Sequence, residues 1–506
     1  FKDWQVKIGK NGNLNKGQIS KSQRVNQIGS LLKQADEVIH AGDPDDEGQL
    51  LIDELLRWFN YKGIVKRLDT ANTTLVAMKK ALSHMTDNKP HEPYGWSAYA
   101  RSVADLMVGI NMSRLFSCKN QTLLTIGRVQ TPTLGLVVNR DLAIEGHHKQ
   151  KYYTIACDIN FNNDTVQADF IPSKTDSNLV DGHILSKEYA EQICNRLKGQ
   201  TLKNINITKK IVYEAPPLPF NLVKLQTYCS GKFGYSPQQV LDITQSLREN
   251  HKAITYNRSE EHYKEAPVTM KAVIMNIRYK PKSLDMNLKS KCFDSSKISA
   301  HFAIIPTNQK VNLDKLSEAE KNVYLAICKY YIAQFMPKAK KEQTNLSVEL
   351  GNGEAIKAVS TVIIEQGYRS IFNEAEKDKA SNLSKIPEGI YSGKITDTDI
   401  AEKETKPPSR YTKASLNEDM TCISKYVKDP KIKQLLLSKD EGKEGERGSI
   451  GTSATRSGII ESLVKRGFLR EDGKKVISTA LGRELYRILP DEIKKADMTA
   501  EWWSIQ

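Results

Sequence analysis

The chain has 506 residues, with 75 Lys and Arg against 60 Asp and Glu, so its formal net charge is +15. A chain of this length forms several domains with a large buried core, and a basic surface favours polyanions such as nucleic acid, although a merely soluble basic protein remains an alternative on charge alone. Its hydrophobic residues are spread out, with no signal peptide and no apolar run near the roughly 20 residues of a membrane helix, so we expect neither a membrane-spanning nor a secreted protein.

The number and spacing of the cysteines also indicate the cellular compartment. Seven are present, and none belongs to a C-x-x-C pair. This spacing argues against a zinc ribbon and against a disulfide framework, and it suits a reducing environment. We therefore expect a cytoplasmic protein.

The first part of the chain is predicted to form a strand that turns into a helix. Residues 1–35 are polar, with a loop at residues 9–13, and residues 37–41 are typical of a short buried strand. Residues 49–59 carry leucines on a helical period. The turn between strand and helix is therefore expected at the strand edge where open α/β sheets bind ligands.

Acidic residues are spaced by two along this turn, at Asp43, Asp45 and Glu47. Carboxylates in that position can hold Mg²⁺, which keeps several waters and contacts phosphate oxygens. Gly48 lets the chain enter the helix without crowding. Two alternatives stay open: a solvated acidic turn, and a calcium EF-hand loop, although a preceding strand and the lack of a second copy argue against the latter.

Helical and strand-like stretches alternate through the rest of the chain. Helix is predicted for residues 89–146, alternation typical of strands for about 151–212, helix again for 221–342, strands from about 345, and helix for the last hundred residues. The β pattern is thus interrupted by a helical insertion and then resumed. The expected division is into segments 1–88, 89–146, 147–214, 215–342, 343–405 and 406–506.

Tyr256 is a candidate nucleophile, in the stretch HKAITYNRS at residues 251–259. A phenol has an ordinary pKa of about 10, so it needs a nearby cation to favour its phenolate. If the stretch is extended, Arg258 lies on the same side and can also bind the phosphate under attack. An ordinary strand tyrosine is the alternative. No Gly-Lys is followed by Ser or Thr, so no nucleotide-driven motor is indicated.

Taken together these segments resemble the type IA DNA topoisomerases, and the topoisomerase III branch most closely. Residues 36–58 are similar to the acidic TOPRIM segment of that family, and the resemblance continues in order over almost the whole chain. The further matching segments are IGRVQTPTL at 126–134, FGYS at 233–236, LDITQSL at 241–247, ITYNR at 254–258, SAHFAIIPT at 299–307, KPPSRYTKASL at 406–416 and GTSATRSGII at 451–460.

The resemblance implies a multidomain fold of α/β, α and β parts. This fold is a toroid in which four domains enclose a hole. They are a TOPRIM domain (1–88), a two-part helical DNA-binding domain (89–146 and 406–506), a two-part β arch (147–214 and 343–405) and a helical domain with the catalytic tyrosine (215–342). It also implies roles for particular residues. These are Tyr256 as nucleophile, Arg258 at the scissile phosphate, His301 as the active-site histidine, Asp43, Asp45 and Glu47 as the metal and acid–base centre, and Arg101, Asp105, Arg128, Gln226 and Arg456 as DNA-contacting positions. For His301 a core histidine is the alternative, and for Arg456 plain helix packing.

The chain also departs from the family pattern. A Glu followed by Lys-Pro-Ser usually occurs in an N-terminal strand of the family, and this chain has no such motif. We expect that an upstream segment is missing and that the chain alone is poorly active and less stable in its first domain. Asn257, Ser259, Glu260 and Phe302 also differ from the commonest family residues.

The expected function is ATP-independent cutting of one DNA strand through a 5′-phosphotyrosine, strand passage and resealing, which gives relaxation of negative supercoils and decatenation. We expect Mg²⁺ as cofactor, single-stranded regions of DNA as substrate, a RecQ-type helicase or a single-strand-binding protein as partner, a monomer, and association with the nucleoid or a plasmid. A TOPRIM nuclease or primase and a non-enzymatic DNA-binding protein are the alternatives. The presence of Tyr256 with Arg258 distinguishes a topoisomerase from a TOPRIM nuclease or primase, because a nuclease or primase needs no tyrosine that bonds covalently to DNA.

Overall fold

The computed structural model describes residues 21–69, 75–259, 270–277, 281, 283–288, 290–294, 303–372, 381–443 and 445–505. Across those ranges, no helix is both long enough and apolar enough to cross a bilayer.

The first part is a small α/β unit. Parallel strands β1 and β2 are connected through helix α2, and β3 pairs antiparallel with β2. Helix α2 begins where the Asp45 side chain accepts from the Gly48 N–H, and it buries Leu50 and Leu55. The turn before α2 lies at the carboxyl end of β1, as predicted. The elements are α1 (Lys21–Leu32), β1 (Glu37–His40), α2 (Asp46–Trp58), β2 (Ile64–Arg67), α3 (Leu75–Leu82) and β3 (Thr86–Asp87).

Two long helices follow, α4 (Glu92–Asn120) and α5 (Gln130–Glu145). Helix α4 packs against α2, and its small buried residues Gly95 and Ala98 permit a close approach. A Cβ on Gly95 would come within 2.6 Å of the Asp53 carboxylate. This contact places α4 beside the acidic turn.

Strands then form a closed ring. Its order is β11-β8-β9-β10-β5-β4, and β4 pairs back onto β11. Burial alternates along β5, as expected for strands with one face in a core. The resumption of the β pattern after a helical insertion is thus confirmed. The elements are β4 (Lys151–Phe161), β5 (Asp164–Ile171), β6 (Leu179–Val180), β7 (His183–Ile184), α6 (Lys187–Leu197), β8 (Thr201–Glu214), β9 (Ala339–Gly351), β10 (Glu354–Glu365) and β11 (Gly389–Glu404).

The insertion between β8 and β9 has its own core. It contains α7 (Leu222–Phe233), α8 (Pro237–Glu249), α9 (Met270–Ile277) and α10 (Glu318–Ala333). Capping boxes at Ser236 and Ser317 begin α8 and α10.

The last part joins α5 in one hydrophobic core, although the two lie far apart in sequence. It also contains a two-stranded hairpin that the sequence analysis treated as helix. Gly473 and Lys474 form its two-residue turn, and a glycine at the first turn position, with φ of +58°, is the signal that was missed. The elements are α11 (Lys413–Met420), α12 (Pro430–Lys439), α13 (Ser453–Lys465), β12 (Leu469–Asp472), β13 (Lys475–Ser478), α14 (Ala480–Ile488), α15 (Asp491–Lys494) and α16 (Asp497–Ile505).

Candidate active site

Tyr256 lies where a short extended segment ends. Ile254 forms an antiparallel bridge with Pro306, and the Thr255 N–H donates to the Ile305 carbonyl at 3.0 Å. Tyr256 is 6 % exposed. The segment that precedes the tyrosine is therefore held on a fixed backbone frame.

The surroundings of Tyr256 combine two acids and two cations. Burial raises the pKa of the Tyr256 phenol, the carboxylates of Asp43 and Asp45 raise it further, and Arg258 and Arg248 oppose the rise. The Arg248 guanidinium lies 4.5 Å from the centroid of the tyrosine ring. The structure thus brings the candidate nucleophile and two of the predicted acids together, with the phenol protonated.

Tyr256 and Arg258 do not share one face, because the extended conformation on which that expectation depended ends at Tyr256. The chain turns at residues 257–258, so Arg258 is exposed while Tyr256 is buried. The Arg258 guanidinium donates to the Gln245 amide oxygen at 3.4 Å, and its carbonyl accepts from the Ser453 hydroxyl at 2.7 Å. Arg258 still lowers the phenol pKa through its charge.

The acidic turn is tightly folded against the start of α2. The Gly48 N–H donates to Asp45 Oδ1 at 2.7 Å. A Cβ on Gly48 would lie 2.3 Å from the Asp43 carbonyl oxygen. A glycine is therefore required at this position, as the sequence analysis expected.

A buried pair beneath the turn was missed by the sequence analysis. Arg67 donates to the carbonyls of Gly42 at 3.0 Å and Asp43 at 2.9 Å, and its Nη1 lies 2.6 Å from His40 Nδ1. Burial and the Arg67 charge lower the pKa of His40, so the imidazole is neutral and accepts this bond. Arg67 is the last residue of β2, the strand beside β1. A charged residue at the end of a strand in this sheet was the sequence signal that could have indicated the pair.

The third predicted acid, Glu47, is paired with an arginine. Glu47 accepts from Arg101 at 2.6 Å, and nowhere in the described ranges do three His, Cys, Asp or Glu side chains converge on a metal position. A magnesium ion that keeps most of its waters needs only one or two carboxylates besides the phosphates of its substrate. Asp43 and Asp45, which both act electrostatically on Tyr256, fit that smaller ligand set.

Arg101 and Asp105, which were predicted to act as a pair, each bond to a different residue. Arg101 bonds to Glu47, whereas Asp105 accepts two bonds from Arg128, at 2.9 and 2.8 Å. The Arg128 guanidinium also lies 5.5 Å from the ring of Trp502. All of these residues are engaged in ion pairs, and the pair of Arg101 with Glu47 reaches the acidic turn.

Gln226 and Arg456 are fully buried. The Gln226 amide donates to the Pro237 carbonyl at 2.8 Å and accepts from Asn417 at 2.6 Å. Arg456 forms a two-bond ion pair with Glu446, at 2.7 and 2.5 Å. In this conformation both side chains join elements of the protein core and are shielded from DNA.

His301, Glu260 and Phe302 lie outside the described residues, as do residues 1–20. The described part of the His301 motif pairs with the segment before Tyr256, since Ile305 N–H donates to the Thr255 hydroxyl at 3.0 Å.

Comparisons with known proteins agree on one family. The profile of the family described as DNA topoisomerase matches residues 90–504. DNA topoisomerase 3 of Vibrio cholerae is 35 % identical over 96 % of this chain and 77 % of its own length, and that of Salmonella typhimurium is 34 % identical over the same shares. A solved structure of full-length topoisomerase I from Thermotoga maritima is similar in fold, with a TM-score of 0.67 and 23 % identity over 97 % of this chain and 80 % of that one.

Proposed function

This chain belongs to the type IA DNA topoisomerases, in the topoisomerase III branch, and from that premise we propose how its own residues cut and reseal one strand of DNA. The Tyr256 oxygen attacks a backbone phosphorus and forms a 5′-phosphotyrosine ester, while the bond to the 3′ oxygen breaks and leaves a 3′-hydroxyl. After another strand or duplex has passed, that hydroxyl attacks the ester and regenerates the phenol. The ester keeps the energy of the broken bond, so the reaction needs no ATP and gives relaxation of negative supercoils and decatenation.

One observation carries this assignment: Tyr256 is buried between the acidic turn and two arginines. Because Tyr256 is only 6 % exposed, DNA reaches it when the acidic turn and the insertion separate. The exposed Arg258 guanidinium then binds the phosphate under attack, since its planar donors fit phosphate oxygens.

We propose Mg²⁺ as the cofactor, held by Asp43 and Asp45. When bound, the ion neutralises charge on the phosphate. Glu47 becomes available as a further ligand or as acid–base when Arg101 leaves it for a DNA phosphate. Arg128 and Asp105 take part in DNA binding as a pair, His301 acts at the site as its motif implies, and Gln226 and Arg456 have structural roles.

We further propose the division into segments at residues 88, 146, 214, 342 and 405. Net charge +15 supports a nucleic-acid substrate. Because the reaction needs an unpaired strand, the protein partner we propose is a RecQ-type helicase or a single-strand-binding protein. The enzyme itself works as a monomer in the cytoplasm, on the nucleoid or on a plasmid.

Trapping the covalent intermediate tests this function. Tyr256→Phe removes the attacking oxygen and little packing, so it should abolish the adduct and leave affinity for a single-stranded oligonucleotide within about twofold. The measurement is denaturing electrophoresis with the oligonucleotide labelled at its 3′ end, so that the label stays with the protein. An adduct in the Phe variant, or one that carries only a 5′ label, contradicts the assignment.

A further inference from the structure

Arg248 contacts both the candidate nucleophile and the acidic turn. It lies in the last turn of α8, and its side chain is 18 % exposed. The guanidinium carbon is 4.5 Å from the centroid of the Tyr256 ring, and Nη2 is 3.9 Å from Asp43 Oδ1. A single cation thus connects the insertion that carries Tyr256 to the turn that carries the acids.

The position of the guanidinium suits it to orient the ring. A cation is attracted to the face of an aromatic ring and not to its edge, so this contact restrains the ring plane without Arg248 covering the ring edge that carries the phenol oxygen. The helix end adds to the arrangement, because the carboxyl end of α8 favours a positive charge in its last turn.

Arg258 does not supply this contact. Its side chain is exposed and bonds to Gln245, which leaves it available for DNA but not stacked on the tyrosine. The two arginines therefore have different roles: Arg248 contacts the tyrosine ring, and Arg258 is available to the substrate.

We propose that Arg248 is a positioning residue for the cleavage step, which holds the Tyr256 ring in its attacking orientation against the acidic turn. The proposal rests on Tyr256 being the nucleophile. It assigns Arg248 an effect on the rate of the chemical step with little effect on DNA affinity, because Arg248 acts through the ring and Asp43.

The test compares Arg248→Gln, Arg248→Lys and Arg248→Ala with the parent in single-turnover formation of the covalent adduct. Losing a cation at an aromatic face should slow Arg248→Gln and Arg248→Ala by about tenfold or more. Arg248→Lys should be intermediate, because an ammonium keeps the charge but not the planar stacking. Arg487→Gln is the matched control, since Arg487 is an exposed arginine paired with Glu484 in α14 and its loss changes the net charge equally.

Two further measurements separate positioning from other roles. Affinity for the oligonucleotide should change no more in Arg248→Gln than in Arg487→Gln. Added guanidinium ion, kept below denaturing concentration, should partly restore cleavage by Arg248→Ala, whereas the same concentration of sodium chloride should not. Circular dichroism and melting of each variant establish that it is folded.

The outcomes are distinct. Parent-like cleavage by Arg248→Gln overturns the proposal, and so does a slow variant that guanidinium fails to rescue and that has lost affinity in proportion, since Arg248 would then be a phosphate contact. A parent chain with no adduct, or an adduct in Tyr256→Phe, instead overturns the proposed function.

Discussion

At the scale of single residues, Asp45 shows how one side chain serves two purposes. Its carboxylate caps α2 through the Gly48 N–H, and its charge acts on Tyr256. Asparagine caps a helix about as well as aspartate but carries no charge. The substitution Asp45→Asn therefore separates the structural role from a metal role.

Asp43→Asn and Asp45→Asn should each raise the Mg²⁺ concentration needed for half-maximal relaxation by about tenfold, because each removes one charged ligand of an ion with few protein ligands. Binding of Mn²⁺, followed by its paramagnetic resonance without DNA, should weaken in parallel. Glu492→Gln, at an exposed acid in α15, is the control. Parent-like metal dependence in both Asn variants would rule out these ligands.

Arg456→Met should destabilise the core of the last part by about 3–5 kcal/mol, because Glu446 is left as a buried, unpaired charge. The measurement is thermal or urea unfolding. The double variant Arg456→Met with Glu446→Gln should recover part of the loss. If Arg456→Met unfolds like the parent and instead loses DNA affinity, the arginine is a DNA contact after all.

At the scale of elements, Glu320 fastens α10 to its neighbours. It completes the capping box with Ser317, accepts from the Ser246 hydroxyl of α8 at 2.6 Å, and lies 3.4 Å from His251 just before the tyrosine segment. Burial opposes its charged form, yet these hydrogen bonds and the histidine lower the pKa of Glu320 to about 2. Its contribution to stability is therefore complete above an unfolded pKa of about 4.3 and is lost as the pH falls towards the folded value.

Glu320→Ala should lower the stability of the insertion by about 1–2 kcal/mol at neutral pH, because a cap and an interhelical bond are both removed. Amide hydrogen exchange over α8 and α10 measures this. Glu318→Ala, an exposed acid in the same first turn, should change exchange by only a few tenths of a kcal/mol. Equal protection in both variants would contradict the role of Glu320.

The sequence predicted elements and motif residues better than contacts. Periodicity located α2 and the strands of the ring, and the change from a strand to a helix pattern placed Asp43 and Asp45 on a turn, where the structure has them. The sequence pattern alone did not show that they lie near Tyr256, which only the family resemblance implied. It could not show Arg248, because its role depends on which face of α8 meets the turn. Nor could motif membership tell that Gln226 and Arg456 are buried, since burial is decided by packing between segments distant in sequence.

At the scale of the whole molecule, the net charge of +15 favours DNA, and the number of phosphate contacts sets how binding depends on salt. Each phosphate contact releases counterions, so the logarithm of affinity for a single strand should fall linearly with that of salt, by about 0.7 per contact. Arg258→Gln should reduce this slope by about one contact. The measurement is fluorescence anisotropy of a labelled oligonucleotide at several salt concentrations, and a salt-independent affinity would contradict binding through phosphates.

The closed strand ring has a consequence for how the protein is made. Its seam pairs Lys151 with Glu404, so one side of β4 has no ring partner until β11 has been synthesised. At roughly 5–20 residues per second, that delay is on the order of 10–50 s on the ribosome. Meanwhile the early strands present an open edge of the kind that pairs with other chains. The seam that removes a sheet edge from the finished enzyme thus leaves that edge unpaired for the longest time while the chain is being made.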